Sequence, residues 1–287
     1  MDSFTKQTTW RPWKAFLLEG IVVGLLFTAG GYMQARWGMT GLVLTELMFL
    51  ALAIAVACLH RTPLKEVFPI KVPKPRECIG IFILAPAGLM CSMIAIGAAL
   101  VLFPGAMDEV EGLSSFLYSK QSLLSIVLIA AILPAVCEEA IQRGAILSHL
   151  RSMKKDGTII LIMGVFFGIF HLSVARFLST ALLGALLTWL VVKKNNLTLS
   201  MLLHFLNNLI SVTIGFFAGK GAEVGAGAAQ TVSSLRILGS YCILGCLMPV
   251  LLVWGTGLIE PRYKGKKRWL IAIGCSVGLL LVGILLV

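Results

Sequence analysis

The chain has 287 residues, 58% of them hydrophobic and 13% charged, with a formal net charge of +11. Soluble domains carry about 25% charged residues, and a mean hydropathy of +0.95 excludes one here. The basic excess does not point to nucleic acid, because Lys and Arg gather at the ends of apolar runs, as anchoring to an anionic leaflet requires.

Apolar segments near the ~20 residues that a bilayer needs lie at about 15–35, 41–59, 78–103, 121–150, 157–175, 177–192, 196–219, 233–258 and 269–287. The expected fold class is therefore all-α, a polytopic transmembrane helical bundle of nine spans, or of eight if 157–192 holds a shorter or broken span around Ser173–Arg176. The first segment carries Glu19 and lacks a small-residue cleavage site, so it reads as a span rather than a cleaved signal peptide. Three parts are expected: N-terminal membrane helices over 1–120, a core over 121–215 and C-terminal membrane helices over 216–287.

A cytoplasmic N-terminus places most basic residues on one side: Lys6, Arg11, Lys14, Arg61, Lys65, Lys71, Lys74, Arg76, Arg151, Lys154, Lys155, Lys193, Lys194 and the cluster from Arg262 to Arg268. The other face keeps Arg36, Lys120, Arg176, Lys220 and Arg236 with the acidic Asp108, Glu109 and Glu111. Residues 60–77 contain Pro63, Pro69, Pro73 and Pro75, so they cannot form one helix and are expected to lie along the cytoplasmic interface. Lys220 to Val232, rich in Gly and Ala, is expected to be a mobile outer loop. The six tryptophans mostly fall near segment ends, as aromatic belts do. The seven cysteines lie in or beside apolar runs without zinc-ribbon spacing or a disulfide framework.

Three polar motifs interrupt the apolar sequence: Glu138-Glu139-x-x-x-Arg143, Phe167-x-x-x-His171 and His204-x-x-x-Asn208. Ionisable side chains within a membrane are expensive and mark functional sites by default. On a helix Glu139 sits over Arg143, four residues on. Glu138 is rotated by about 100°. One carboxylate is thus balanced by charge, and the other is left as a candidate general base. At ~1.5 Å per residue, Glu138, His171 and His204 lie about 18, 21 and 12 Å into their segments, the middle third of a core ~30 Å thick. Three polar groups at one depth imply one water-filled cavity. Phe167 shares a face with His171 and orients its imidazole, while Asn208 is placed to hydrogen-bond His204 or to donate to an oxyanion. Asn207 points elsewhere on this phase.

These motifs, read as Pro134-x-x-x-Glu138-Glu139-x-x-x-Arg143-Gly144, Phe167-Gly-Ile-Phe-His171 and His204-Phe-Leu-Asn-Asn208, resemble the intramembrane peptidase family of type II CAAX prenyl endopeptidases and bacteriocin-processing and immunity proteins. The resemblance covers about 121–215, and Gln142 departs from an aromatic residue often found before the Arg-Gly. It implies hydrolysis of a peptide bond: Glu138 activating water with help from His171, His204 and Asn208 stabilising the oxyanion or holding a metal, and Glu139 and Arg143 maintaining the scaffold. Zinc stays open as a cofactor through Glu138, His171 and His204, although there is no His-Glu-x-x-His, and Asn208 is a poor zinc ligand. The implied partners are a peptide or membrane-protein substrate and the lipid bilayer, in the plasma membrane if the source is bacterial. Two rival readings are an ion- or proton-coupled transporter and a non-catalytic bacteriocin self-immunity protein of the same fold.

Overall fold

The computed structural model describes residues 10–118, 121–224, 233–263 and 265–287, and every regular element among them is helical. In chain order the main helices are α1 Pro12–Trp37, α2 Met39–Leu59, α3 Pro75–Leu102, α4 Ala106–Tyr118, α5 Leu123–Leu150, α6 Asp156–Phe170, α7 Val174–Lys194 and α8 Leu197–Val224. They are followed by α9 Ser234–Leu244, α10 Met248–Ile259 and α11 Lys266–Leu286. Helices satisfy their own backbone, which lipid cannot do for them. Their ends are marked locally: Pro12 and Pro75 open α1 and α3 from the first turn, where a missing N–H costs nothing. Asn195, in the left-handed region at φ 45°, ends α7.

Among the described residues seven helices are long and apolar enough to cross a membrane, or eight if α9 and α10, bent by 43° at their junction, count as one span. The chain is an integral membrane protein. All nine apolar segments of the sequence are helical, but α6 has only 15 residues, about 22 Å at the α-helical rise. It stops at His171, and the chain turns through Leu172, at φ 48°, into α7. This is the short segment expected between 157 and 192. The new helix is capped by Ser173 Oγ, which accepts from Arg176 N at 3.2 Å.

Helix α3 packs against α7, α8, α9 and α10, while α2 packs on α1 and α5. Between α3 and α10 the approach is set by facing glycines: a Cβ on Gly80 would come within 2.6 Å of Ile259 Cγ1. Residues 60–74 contain one helical turn, Leu64–Val67, before Pro75 starts α3. Asn196 holds this stretch to the bundle, its Oδ1 accepting from Lys71 N and its Nδ2 donating to Lys71 O, each at 3.2 Å.

Two expectations change. The segment expected as an outer loop from Lys220 continues α8 as far as Val224; 225–232, like Lys6, Lys120 and Lys264, lie outside the described residues. Trp10 is not a belt residue: it is 5% exposed, stacks on His60 at 4.2 Å and donates Nε1–H to Thr62 Oγ1 at 2.9 Å.

Candidate active site

Helix α5 carries both glutamates in an ordinary α turn, Leu133–Glu139, flanked by π-helical segments Val127–Ile132 and Ala140–Ile146. Such widened turns are frequent at functional sites because they re-aim side chains without ending the helix. Pro134 has no N–H to give the Ala130 carbonyl four residues back. Asn208 Nδ2 supplies the missing bond at 3.3 Å, tying α8 to α5 beside the glutamates.

Glu139, fully buried, accepts from Arg143 Nη1 at 2.8 Å and from His204 Nδ1 at 3.1 Å through the same Oε1. Arg143 is also fully buried: its Nη2 donates to Gly184 O at 3.0 Å, and its guanidinium lies 4.3 Å from the centre of the Phe167 ring. That ring stands edge-on to His171 at 4.8 Å and to His204 at 5.6 Å. The Phe167 carbonyl accepts from His171 Nδ1 at 2.8 Å. This leaves His171 Nε2 as the nitrogen available to a ligand. Gly184 allows the whole knot, since a Cβ there would meet Phe167 Cβ at 2.6 Å.

Above the knot opens a cavity of about 410 Å³, lined among others by Glu138, His171, His204 and Asn208. Glu138 is 7% exposed, and its Oε2 has no hydrogen-bond partner in the protein. The nearest ring nitrogen, His204 Nε2, is 3.9 Å away, beyond direct hydrogen-bond range and the spacing of a bridged contact. His204 therefore lies between the two glutamates, bonded to one and facing the other.

All four motif residues expected to do chemistry line one cavity. Glu139 and Arg143 pair as the i, i+4 spacing requires, even though a π turn begins between them. Phe167 does more than pack, since its carbonyl fixes one histidine and its ring contacts both. One expectation is corrected: Asn207 also lines the cavity. It stands three residues from His204, and i, i+3 neighbours share a helix face, so the phase argument against it was too strict. Three charged residues were missed: Glu46, Arg176 and Glu109, the last read as part of an outer acidic loop. Glu46 on α2 is 3% exposed and lines the cavity. The membrane-depth test that singled out Glu138 would have found it in the run 41–59. Arg176, assigned to a segment end, also lines the cavity.

Gln142, the residue that departs from the resemblance, is fully buried and donates to Glu19 Oε2 of α1 at 2.9 Å. A polar pair reaching in from the first helix takes the place of ring packing.

Among the described residues no three His, Cys, Asp or Glu side chains are disposed to hold a metal ion. His204 gives Nδ1 to Glu139, and its Nε2 stands 3.9 Å from Glu138. The residues as placed do not fit a zinc centre, and no chemical step below passes through one.

Residues 120–210 match the family model described as Type II CAAX prenyl endopeptidase Rce1-like. This stretch is an Rce1-like domain. It runs from the start of α5 to the middle of α8 and contains every motif residue from Glu138 to Asn208. Glu19 and Glu46 reach the site from outside the domain. No curated protein and no solved structure matches the chain.

Proposed function

We propose that the protein is an intramembrane endopeptidase that hydrolyses a peptide bond in a membrane-associated, lipidated or precursor peptide, with Glu138 as the base that activates water. The observation that carries this reading is the contrast within one dipeptide: Glu139 is bonded through Oε1 to Arg143 and His204, while Glu138 lines the cavity and its Oε2 has no hydrogen bond. The Rce1-like match over the same residues supports it.

In this mechanism a water held between Glu138 Oε2 and His204 Nε2 attacks the scissile carbonyl, and Glu138 takes its proton. The carbonyl electron pair moves to oxygen. An amide nitrogen carries two N–H groups, so Asn208 has one left after its bond to Ala130. That N–H and the Arg176 guanidinium are the donors on hand for the oxyanion. Collapse breaks the C–N bond, and the departing amine takes up the proton from Glu138, with His171 Nε2 passing it on. Arg143, Glu139 and Phe167 keep the two imidazoles in place.

The test is cleavage of a library of lipidated and precursor peptides by detergent-purified protein, wild type beside Glu138→Ala. Cleavage lost with Glu138→Ala and kept by wild type is the expected result. Cleavage that survives the substitution removes Glu138 from the mechanism. Wild type that cleaves nothing but carries pH-dependent ion flux in liposomes replaces the peptidase reading with a transporter.

A further inference from the structure

The charge of the cavity is opposite to that of the molecule. The chain carries a net +11, yet the charged residues that line the cavity are Glu46, Glu109, Glu138 and Arg176, three carboxylates to one guanidinium. Low-dielectric walls focus such a field and raise the local concentration of ions of opposite sign. Two of the acids, Glu46 and Glu138, are buried at 3% and 7% exposure, on α2 and α5. Glu109 sits on α4, accepting from Ser173 Oγ at 2.6 Å and Ala175 N at 3.3 Å.

A second observation is independent of charge. Among the described residues that line the cavity, the buried side-chain atoms without a hydrogen-bond partner are Glu46 Oε2, Glu138 Oε2 and Asn207 Oδ1, all of them acceptors. Buried polar groups are ordinarily satisfied, and a wall of unsatisfied acceptors is complementary to a group rich in N–H donors. Asn207, 7% exposed, lines the same cavity from α8. An ammonium or guanidinium group brings both the donors and the charge.

We propose that Glu46 is a specificity-determining residue, and that the substrate class is a peptide carrying a basic side chain or a free amino group beside the scissile bond, received by Glu46 and Asn207. The inference rests on the peptidase reading above and names what that site accepts. Binding a cation there also halves the excess of carboxylates over guanidinium in the cavity, so the charged group and the active site share the membrane interior at lower electrostatic cost.

The test uses purified full-length protein and pairs of internally quenched peptides that differ only by lysine or its uncharged isostere norleucine at successive positions around the cleaved bond. At one or more positions wild type is expected to favour lysine in kcat/KM. Glu46→Gln is expected to shrink that lysine-to-norleucine ratio roughly 10- to 100-fold, the worth of one charge-assisted hydrogen bond. Peptides cleaved by wild type with no lysine preference at any position overturn the proposal without reference to a variant. A lysine preference unchanged by Glu46→Gln, in protein whose thermal unfolding is intact, also overturns it. If no peptide is cleaved, the peptidase reading fails separately. The same pairs then decide by equilibrium binding: tighter lysine binding that weakens with salt and is lost in Glu46→Gln supports the acceptor wall, and equal affinities reject it.

Discussion

Two neighbouring regions of one helix handle buried charge in opposite ways. Around Glu139 and Arg143 the charges are matched: carboxylate to guanidinium and imidazole, guanidinium to a carbonyl and an aromatic face. Around Glu138 the cavity is lined by residues whose buried acceptors, Glu46 Oε2, Glu138 Oε2 and Asn207 Oδ1, have no hydrogen-bond partner. The first region spends its polar groups on holding α5, α6, α7 and α8 together. The second holds its groups open for a reaction. A buried ion pair is by itself weak evidence of function, since its desolvation cost can equal its attraction. What separates the two regions is whether the carboxylate is engaged: Glu139 Oε1 bonds Arg143 and His204, although Glu139 Oε2 and Arg143 Nε have no partner, whereas Glu138 lines the cavity with no hydrogen bond to its Oε2.

The comparison breaks most visibly at Arg143. Arg143→Ala leaves Glu139 buried without its cation, and removal of one partner from a buried pair costs about 3–5 kcal/mol. Urea or thermal unfolding in detergent should show a loss of that size; a loss below about 1 kcal/mol would mean that the knot is not structural.

His171→Ala should instead lower kcat/KM by about 100-fold or more, within the range for proton-transfer groups, and leave the unfolding midpoint near wild type. A large shift in the midpoint with little change in turnover would move His171 into the scaffold.

Gly184→Ala places a Cβ 2.6 Å from Phe167 Cβ. Overpacking of this kind costs about 1–3 kcal/mol, and activity should fall as well because Phe167 positions both histidines. Unfolding and turnover measured together check this, and an Ala variant with wild-type values in both would show that the contact relaxes freely.

An effect of similar size is expected at Asn208. Loss of its bond to the Ala130 carbonyl costs about 1–3 kcal/mol of stability, and Pro134→Ala, which restores a helical N–H to that carbonyl, should recover part of it. Activity that stays low in the double variant while stability returns assigns Asn208 a separate role at the oxyanion. Activity that returns with stability makes it structural only.

Much of this was legible in the sequence because each signal was local. Glu139 over Arg143 follows from helical spacing, and the break after His171 follows from an apolar run too long for one span and too short for two. The π segments were not legible, since nothing in Val127–Ile132 or Ala140–Ile146 marks a widened turn. The bond from Asn208 to Ala130 joins residues 78 apart in sequence, and Pro134 hints at the free carbonyl without naming its partner. Glu46 and Glu19 come from helices with no motif, and their approach to the site depends on how α1 and α2 pack against α5. Arg176 was read by its place at a segment end, yet the turn at Leu172 brings it to the cavity.

The most direct test of the central claim sets Glu138→Gln beside Glu139→Gln, each measured for thermal unfolding and for peptide cleavage on the same preparation. The account predicts that Glu138→Gln abolishes cleavage with little change in the unfolding midpoint, whereas Glu139→Gln lowers the midpoint substantially. Equal destabilisation by the two, or cleavage that persists in Glu138→Gln, would contradict it.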